Sequence, residues 1–235
     1  MSEKLSYRME NGDNPWKEIE LPPKQFTGET APSEIEVREL NKWDDMRQVA
    51  GLVYEVDPYI CPDFFGDKER AEEIGSVLFK DDGGLFDYGH TLVAEEDGEL
   101  HGILIFADNT ITPWDCAARK AEIEASGIEM PEYFDRANEQ YMRLVVEDAR
   151  TLPDGVAEIE WVATDPNHRG KGIATKLLDR IKADPRYHEL HLTVLADNPP
   201  AVRAYEKAGF EIVSTQTGYP DDAVPTHNMV WRRPE

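Results

Sequence analysis

Residues 156–182, VAEIEWVATDPNHRGKGIATKLLDRIK, limit what this chain can fold into more than any other stretch. Val156 to Thr164 alternate and are rich in β-branched residues, the pattern of a strand. Asp165, Pro166 and Asn167 end it. Beyond Gly170 and Gly172, the apolar Ile173, Leu177, Leu178 and Ile181 fall on one face of an amphipathic helix. Pattern alone therefore predicts a mixed α/β sheet with a helix entered through a glycine turn.

That turn has a chemical use. The first turn of a helix has backbone N–H groups without intrahelical partners and carries the positive end of the macrodipole. Glycine lets a phosphate approach the backbone closely. Arg169, Lys171, Lys176, Arg180 and Lys182 stand against one acid, Asp179, in the most basic segment of the chain. The pattern suggests an anion site, although a basic helix is also an ordinary solvated face. A Walker loop is absent, because no Gly-Lys-Ser/Thr follows a glycine at the required spacing. Thr175 stands where a dinucleotide fingerprint needs Gly or Ala.

The string that does fit is R-x-x-G-x-A, as Arg169, Gly172 and Ala174. Further on, residues 188–195 alternate as a strand and residues 199–208 read as a helix. Across them runs N-x-x-A-x-x-x-Y-x-x-x-G-F, as Asn198, Ala201, Tyr205, Gly209 and Phe210. The two motifs, in this order and at this distance, resemble the cofactor core of the GNAT superfamily, the acyl-CoA-dependent N-acyltransferases. The resemblance implies a mixed, mostly antiparallel central sheet flanked by helices. It also implies acetyl-CoA as acyl donor, with CoA as product.

Composition narrows the surroundings. The chain has 235 residues, room for one sizeable core but short for two ordinary domains. Its net charge of −23 argues against free nucleic acid as a partner, since a phosphate backbone demands a basic face. The same charge fits solubility, a salty environment or a cationic acceptor. Cys61 and Cys116 provide neither a disulfide framework nor a metal pattern. No apolar signal core opens the chain and no apolar run is long enough to span a bilayer, so the expectation is a cytoplasmic protein without a membrane partner.

Residues 1–34 are polar and proline-rich and read as an arm, pinned at most by Trp16 and Phe26. Residues 35–235 read as a single GNAT-like domain. A strand is predicted at 35–40 and a helix at 44–56, with Asn41 as its cap. Residues 57–67, DPYICPDFFGD, read as an aromatic loop or broken helix, and 68–79 as a helix. Strands follow at 90–94 and 99–107 around the turn Glu96-Asp97-Gly98. Residues 109–153 exceed what the family needs before its fourth strand and read as a helical insertion, with helices near 113–126 and 131–147. It is either a brace or a lid. Strands at 211–214 and 227–231 close the chain around a long turn that carries Asp221 and Asp222.

The resemblance implies attack by an acceptor amine on a thioester, through a tetrahedral intermediate. The amine must lose a proton, the oxyanion needs donors, and the leaving thiolate is helped by a proton. Glu158 and Glu160 share a strand face, and either can serve as base directly or through water, or be merely an exposed polar residue. By resemblance, backbone groups of Val162, Ala163 and Thr164 hold the acyl and pantetheine groups. Arg169, Gly170, Lys171, Gly172, Ile173, Ala174 and Thr175 form the pyrophosphate loop. Tyr205 matches the family's proton donor to sulfur, against the plainer reading of a helix-packing tyrosine. Asn198 caps the following helix, bonds pantetheine, or does both. His168 either touches phosphate or faces solvent. His188 and His191 fall on opposite strand faces, a poor geometry for a metal, and no metal is expected. The implied acceptor is a small-molecule amine or a protein or peptide amine, and homodimers are common in the family. The alternative is a non-catalytic acyl-CoA-binding or regulatory module of the same fold.

Overall fold

The computed structural model describes residues 4–7, 17–20, 34–56, 60–79, 88–112, 116–129, 148–219 and 224–234. The chain divides into two compact units, Met1–Ser33 and Glu34–Glu235. In the first, β1 (Lys4–Tyr7) and β2 (Lys17–Glu20) pair antiparallel, so the polar arm holds a two-stranded ribbon that its weak periodicity did not announce.

The second unit runs β3 (Glu36–Glu39), α1 (Met46–Tyr54), α2 (Ile60–Phe65), α3 (Lys68–Leu78), β4 (Thr91–Glu96), β5 (Glu99–Ala107) and α4 (Cys116–Ala125). It continues with β6 (Val156–Thr164), a 3₁₀ turn (Pro166–His168), α5 (Ile173–Lys182), β7 (Glu189–Leu195), α6 (Pro199–Lys207), β8 (Glu211–Tyr219) and β9 (Val224–Arg232). Its seven strands lie in the order β3-β4-β5-β6-β7-β9-β8. Only β6 and β7 are parallel neighbours. This is the mixed, mostly antiparallel sheet that the resemblance implied.

Both faces of the sheet centre are covered, which is why β5 is apolar almost without interruption. Ile103 and Ile105 point to one side, where Val49, Val53, Ala71 and Ile74 of α1 and α3 pack. Leu104 and Phe106 point to the other, against Ile173, Leu177, Leu178 and Ile181 of α5. Those four helical residues are the ones the sequence periodicity selects. Gly102 fixes how closely α5 approaches. A Cβ there would stand 2.4 Å from Ile173 Cγ2 and 3.2 Å from Leu177 Cδ1. Gly102→Val is expected to destabilise the fold by about 1–3 kcal/mol through overpacking, measured as a lower urea midpoint at unchanged slope.

Three boundaries differ from expectation. Helix α1 starts at Met46 and is capped by Asp45, which accepts from Arg47 N at 2.9 Å. Asn41 is not the cap; its side chain accepts from Trp43 N at 2.9 Å and closes an earlier turn. Asp44 stays outside the helix because Arg38 and Asn41 N occupy its carboxylate, each at 2.8 Å. Strands β8 and β9 are longer than predicted, since register shifts near Ile212 and Gln216 let pairing continue through the polar stretch that reads as a turn. The hairpin between β4 and β5 is tight as expected, with Asp97 and Gly98 both at positive φ. The predicted helix near 131–147 and the acids Asp221 and Asp222 lie outside the described residues.

Candidate active site

The site grows from a fork in the sheet. Strand β6 pairs with β7 only from Val156 to Ile159, opposite Glu189 to Leu192. Beyond Ile159 the two part, while β6 stays paired to β5 as far as Thr164. Asp165 N donates to His101 O at 2.9 Å across to β5. With the period of two, Ala163 also addresses β5, which turns the N–H and C=O groups of Val162 and Thr164 to the open side of the fork. The Thr164 carbonyl there accepts from Arg169 Nε at 3.4 Å.

A β-bulge sits at the branch point. Ile159 opposes Phe106 and Trp161 opposes Ile105, so Glu160 has no opposite number on β5. Glu158 lies on the face opposite Ala157 and Ile159, which are buried against α5. Across the strand pair, Glu158 stands level with His191, whose Nε2 is 2.6 Å from Glu189 Oε1. Arg232 Nε in turn donates to Glu189 Oε2 at 2.7 Å. Burial pushes the Glu158 carboxyl up, His191 pulls it back, and Asp148 adds to the rise. Glu160 is held well above the ordinary carboxylate range by burial first, then by the nearby charges of Glu158 and Asp148. Sequence reasoning did not single out Asp148. It lies near the end of the long insertion, and its link to the two glutamates exists only in three dimensions.

The second part of the site is the entry to α5. Gly172 caps the helix in the left-handed region with φ +81°, and no side chain satisfies the first turn. Gly170 adopts the same φ, and nothing lies within 4 Å of where a Cβ would stand at either glycine. The helix start therefore has no side-chain cap and leaves room for close approach at both glycines, as an anion cradle requires. The basic patch is narrower than its sequence. Lys176 bonds Ile35 O at 3.0 Å, Lys182 bonds Ala208 O at 3.0 Å, and Arg180 approaches Glu39 at 3.9 Å. These three brace the helix. Exposed Arg169 and Lys171, with the N–H groups from Gly172 to Thr175, remain to face an anion. Arg169 also reaches Glu55 at 3.5 Å.

The third part is α6. Asn198 caps it, its Oδ1 accepting from Ala201 N at 3.3 Å, so the capping role of this residue is observed. Tyr205 packs edge-on against Phe210, 6.0 Å between ring centroids. Burial alone pushes its phenol up to about 12, which keeps it protonated at neutral pH. No helix among the described residues is long and apolar enough to cross a membrane.

Residues 53–210 match the sequence model of the acetyltransferase (GNAT) family. A mycothiol acetyltransferase from Mycolicibacterium gilvum (strain PYR-GCK) is 32% identical over 74 residues, which span 28% of this chain and 24% of that protein. Among solved structures, an N-acetyltransferase from Staphylococcus aureus Mu50 superposes with a TM-score of 0.56 at 21% identity, covering 83% of this chain and 99% of the other. The Salmonella typhimurium protein yncA, solved with its cofactor acetyl-CoA, superposes with a TM-score of 0.50 at 17% identity, covering 86% and 96%. At these identities the structural likeness is one of fold.

Proposed function

Since the chain belongs to the GNAT acetyltransferase family, we propose that it moves an acetyl group from acetyl-CoA directly to an acceptor amine. The observation that carries the reading is the fork: a strand edge opened beside half-buried carboxylates, in line with an uncapped helix N-terminus. The residues fit the donor molecule. Gly170 and Gly172 leave room for a pyrophosphate against the N–H groups of α5. Val162 and Thr164 supply the edge groups that a pantetheine arm can pair with, whereas the backbone of Ala163 is taken up by β5 and leaves that role to its neighbours, and Asn198 stands at the start of α6, which follows β7. Acetyl-CoA supplies an activated thioester.

The remaining work falls to side chains. Glu160 takes the ammonium proton of the acceptor, directly or through one water. Its raised pKa brings it toward the range where a base works best near neutral pH. Glu158 and Asp148 add negative charge at the same place and favour an acceptor that arrives as a cation. Tyr205 acts on the leaving sulfur as a hydrogen-bond donor. Cytoplasmic location and a small-molecule or peptide amine as acceptor complete the reading.

Thermal unfolding with and without acetyl-CoA tests the cradle. At a hundredfold excess over its dissociation constant a ligand adds about 2.7 kcal/mol, a shift of roughly 5–11 °C for a domain of this size. The wild type is expected to show that shift, and Gly172→Glu to lose it while keeping its far-UV spectrum. No shift in the wild type at saturating acetyl-CoA sinks the proposal. Binding without turnover across a broad amine panel leaves the non-catalytic module instead.

A further inference from the structure

At the far end of β5 from the catalytic fork's acids, three potential metal ligands converge from three separate elements. Glu96 ends β4, His101 lies near the start of β5, and His168 closes the 3₁₀ turn directly before Arg169 and Gly170. One ligand atom from each lies within 4.8 Å of the other two. His101 is only 5% exposed. We infer that Glu96, His101 and His168 form a binding site for a first-row divalent cation of the zinc type, clasping the β4–β5 hairpin to the loop that enters α5.

The chemistry of the donor set supports this. Two imidazoles and a carboxylate suit Zn²⁺ and its neighbours and are a poor set for Mg²⁺ or Ca²⁺. His168 Nδ1 lies 3.2 Å from Asp165 Oδ1. An ionised carboxylate only accepts, so Nδ1–H is its donor and Nε2 is the nitrogen left for an ion. This carboxylate–histidine pairing is how outer groups commonly orient a metal-binding imidazole. Glu96 Oε2 stands 3.9 Å from His101 Nε2, beyond hydrogen-bond reach. Around a tetrahedral ion such donors stand about 3.3 Å apart, so this pair closes by well under 1 Å, while the wider separations within the 4.8 Å cluster close through rotation of the imidazoles. The hairpin tip adds the negative charges of Asp97 and Glu99. The two imidazole rings lie face to face, 3.7 Å between centroids and 16° between planes. Loading tilts them apart so that both lone pairs meet on one ion.

The spacing of these residues hides the site from sequence patterns, because the ligands are brought together by the antiparallel pairing of β4, β5 and β6. The role is mechanical: the turn from Asp165 to His168 is held to β5 by the Asp165 N–His101 O hydrogen bond and the His101–His168 stack, and an ion adds a stronger tie at the same point.

Cobalt titration of the chelator-stripped full chain, in excess Mg²⁺ to occupy surface carboxylates, tests the inference. The wild type is expected to develop visible cobalt absorption that saturates near one equivalent and is displaced by Zn²⁺. His168→Gln and Glu96→Gln are each expected to weaken binding by at least about tenfold, and Asp165→Asn by about tenfold. His101 is buried, so its variant is not relied upon, and circular dichroism checks the others. Absence of saturable absorption in the wild type overturns the site, as does binding that His168→Gln and Glu96→Gln leave unchanged. Acetyl-CoA is omitted throughout, which separates this outcome from that of the acetyl-transfer reading.

Discussion

Glu160→Gln is expected to lower kcat/KM for the best amine acceptor by about 10²–10⁴-fold, the usual worth of a positioned general base. The bulge explains why this residue, and not its neighbour, carries the effect. Glu158 lies where β6 and β7 are still paired and is held level with His191. Glu160 lies one step further, where the strands have parted and no residue of β5 opposes it. The sign of the pH dependence follows from the cause of its shift. A base works deprotonated, so activity rises with pH as Glu160 loses its proton, and the raised pKa places that rise above the ordinary carboxylate range. Glu158→Gln removes one of the charges that hold the proton on Glu160, after burial the largest cause. That variant is expected to retain substantial activity and to move the rising limb toward acid. Tyr205→Phe, which removes one hydrogen bond to the leaving sulfur, is expected to cost less than Glu160→Gln. Full activity in Glu160→Gln, or a limb that Glu158→Gln leaves in place, removes Glu160 from the role.

How much of this could be read beforehand depends on the range of the interactions. The apolar face of α5 and the glycine entry to it are local periodicities, so the sequence displays them directly. Asn198 as a cap is equally local. The order of strands became legible through two motifs whose spacing matches a known family, not through any property of the strands themselves. What stayed hidden is non-local. The cap of α1 moved from Asn41 to Asp45 because Arg38, on a strand, occupies Asp44. The basic face of α5 narrowed because Lys176 and Arg180 meet the β3 segment and Lys182 meets the end of α6. Glu158 and Glu160 were visible as a pair, but their inequality arises from a register shift against β5. Asp148 joins them from an insertion whose purpose no window of sequence could state, and Gly102 looks like an ordinary strand residue until Ile173 is seen above it.

Asp108→Ala is expected to be the most destabilising single change, by about 3–5 kcal/mol, because it strips the acceptor from a buried group of donors. Asp108 follows β5 and is 5% exposed. Its Oδ2 accepts from the Tyr187 hydroxyl at 2.6 Å, and its Oδ1 accepts from Thr110 Oγ1 at 2.5 Å and Thr110 N at 2.8 Å. His90 Nε2 lies 3.2 Å from the same Oδ1. The His90 and Tyr187 contacts tie the end of β5 to the start of β4 and to the loop that enters β7, while the two from Thr110 close a local turn, so the network holds the base of the fork as well as the core. Burial alone would raise the carboxyl, but the bonds from His90, Thr110 and Tyr187 outweigh it and hold Asp108 well below the ordinary carboxylate range. The linkage sign is therefore that of a depressed acid: the stabilisation is complete above the unfolded value, near 3.8, and is lost as pH falls through the folded one. Asp108→Asn keeps the shape and some acceptor capacity but has no carboxyl to protonate. Urea denaturation from neutral pH down to about 2.5 should show the wild type losing stability more steeply below the unfolded carboxylate range than Asp108→Asn. Parallel curves for the two proteins would mean that Asp108 titrates normally and that the network is an ordinary set of neutral hydrogen bonds.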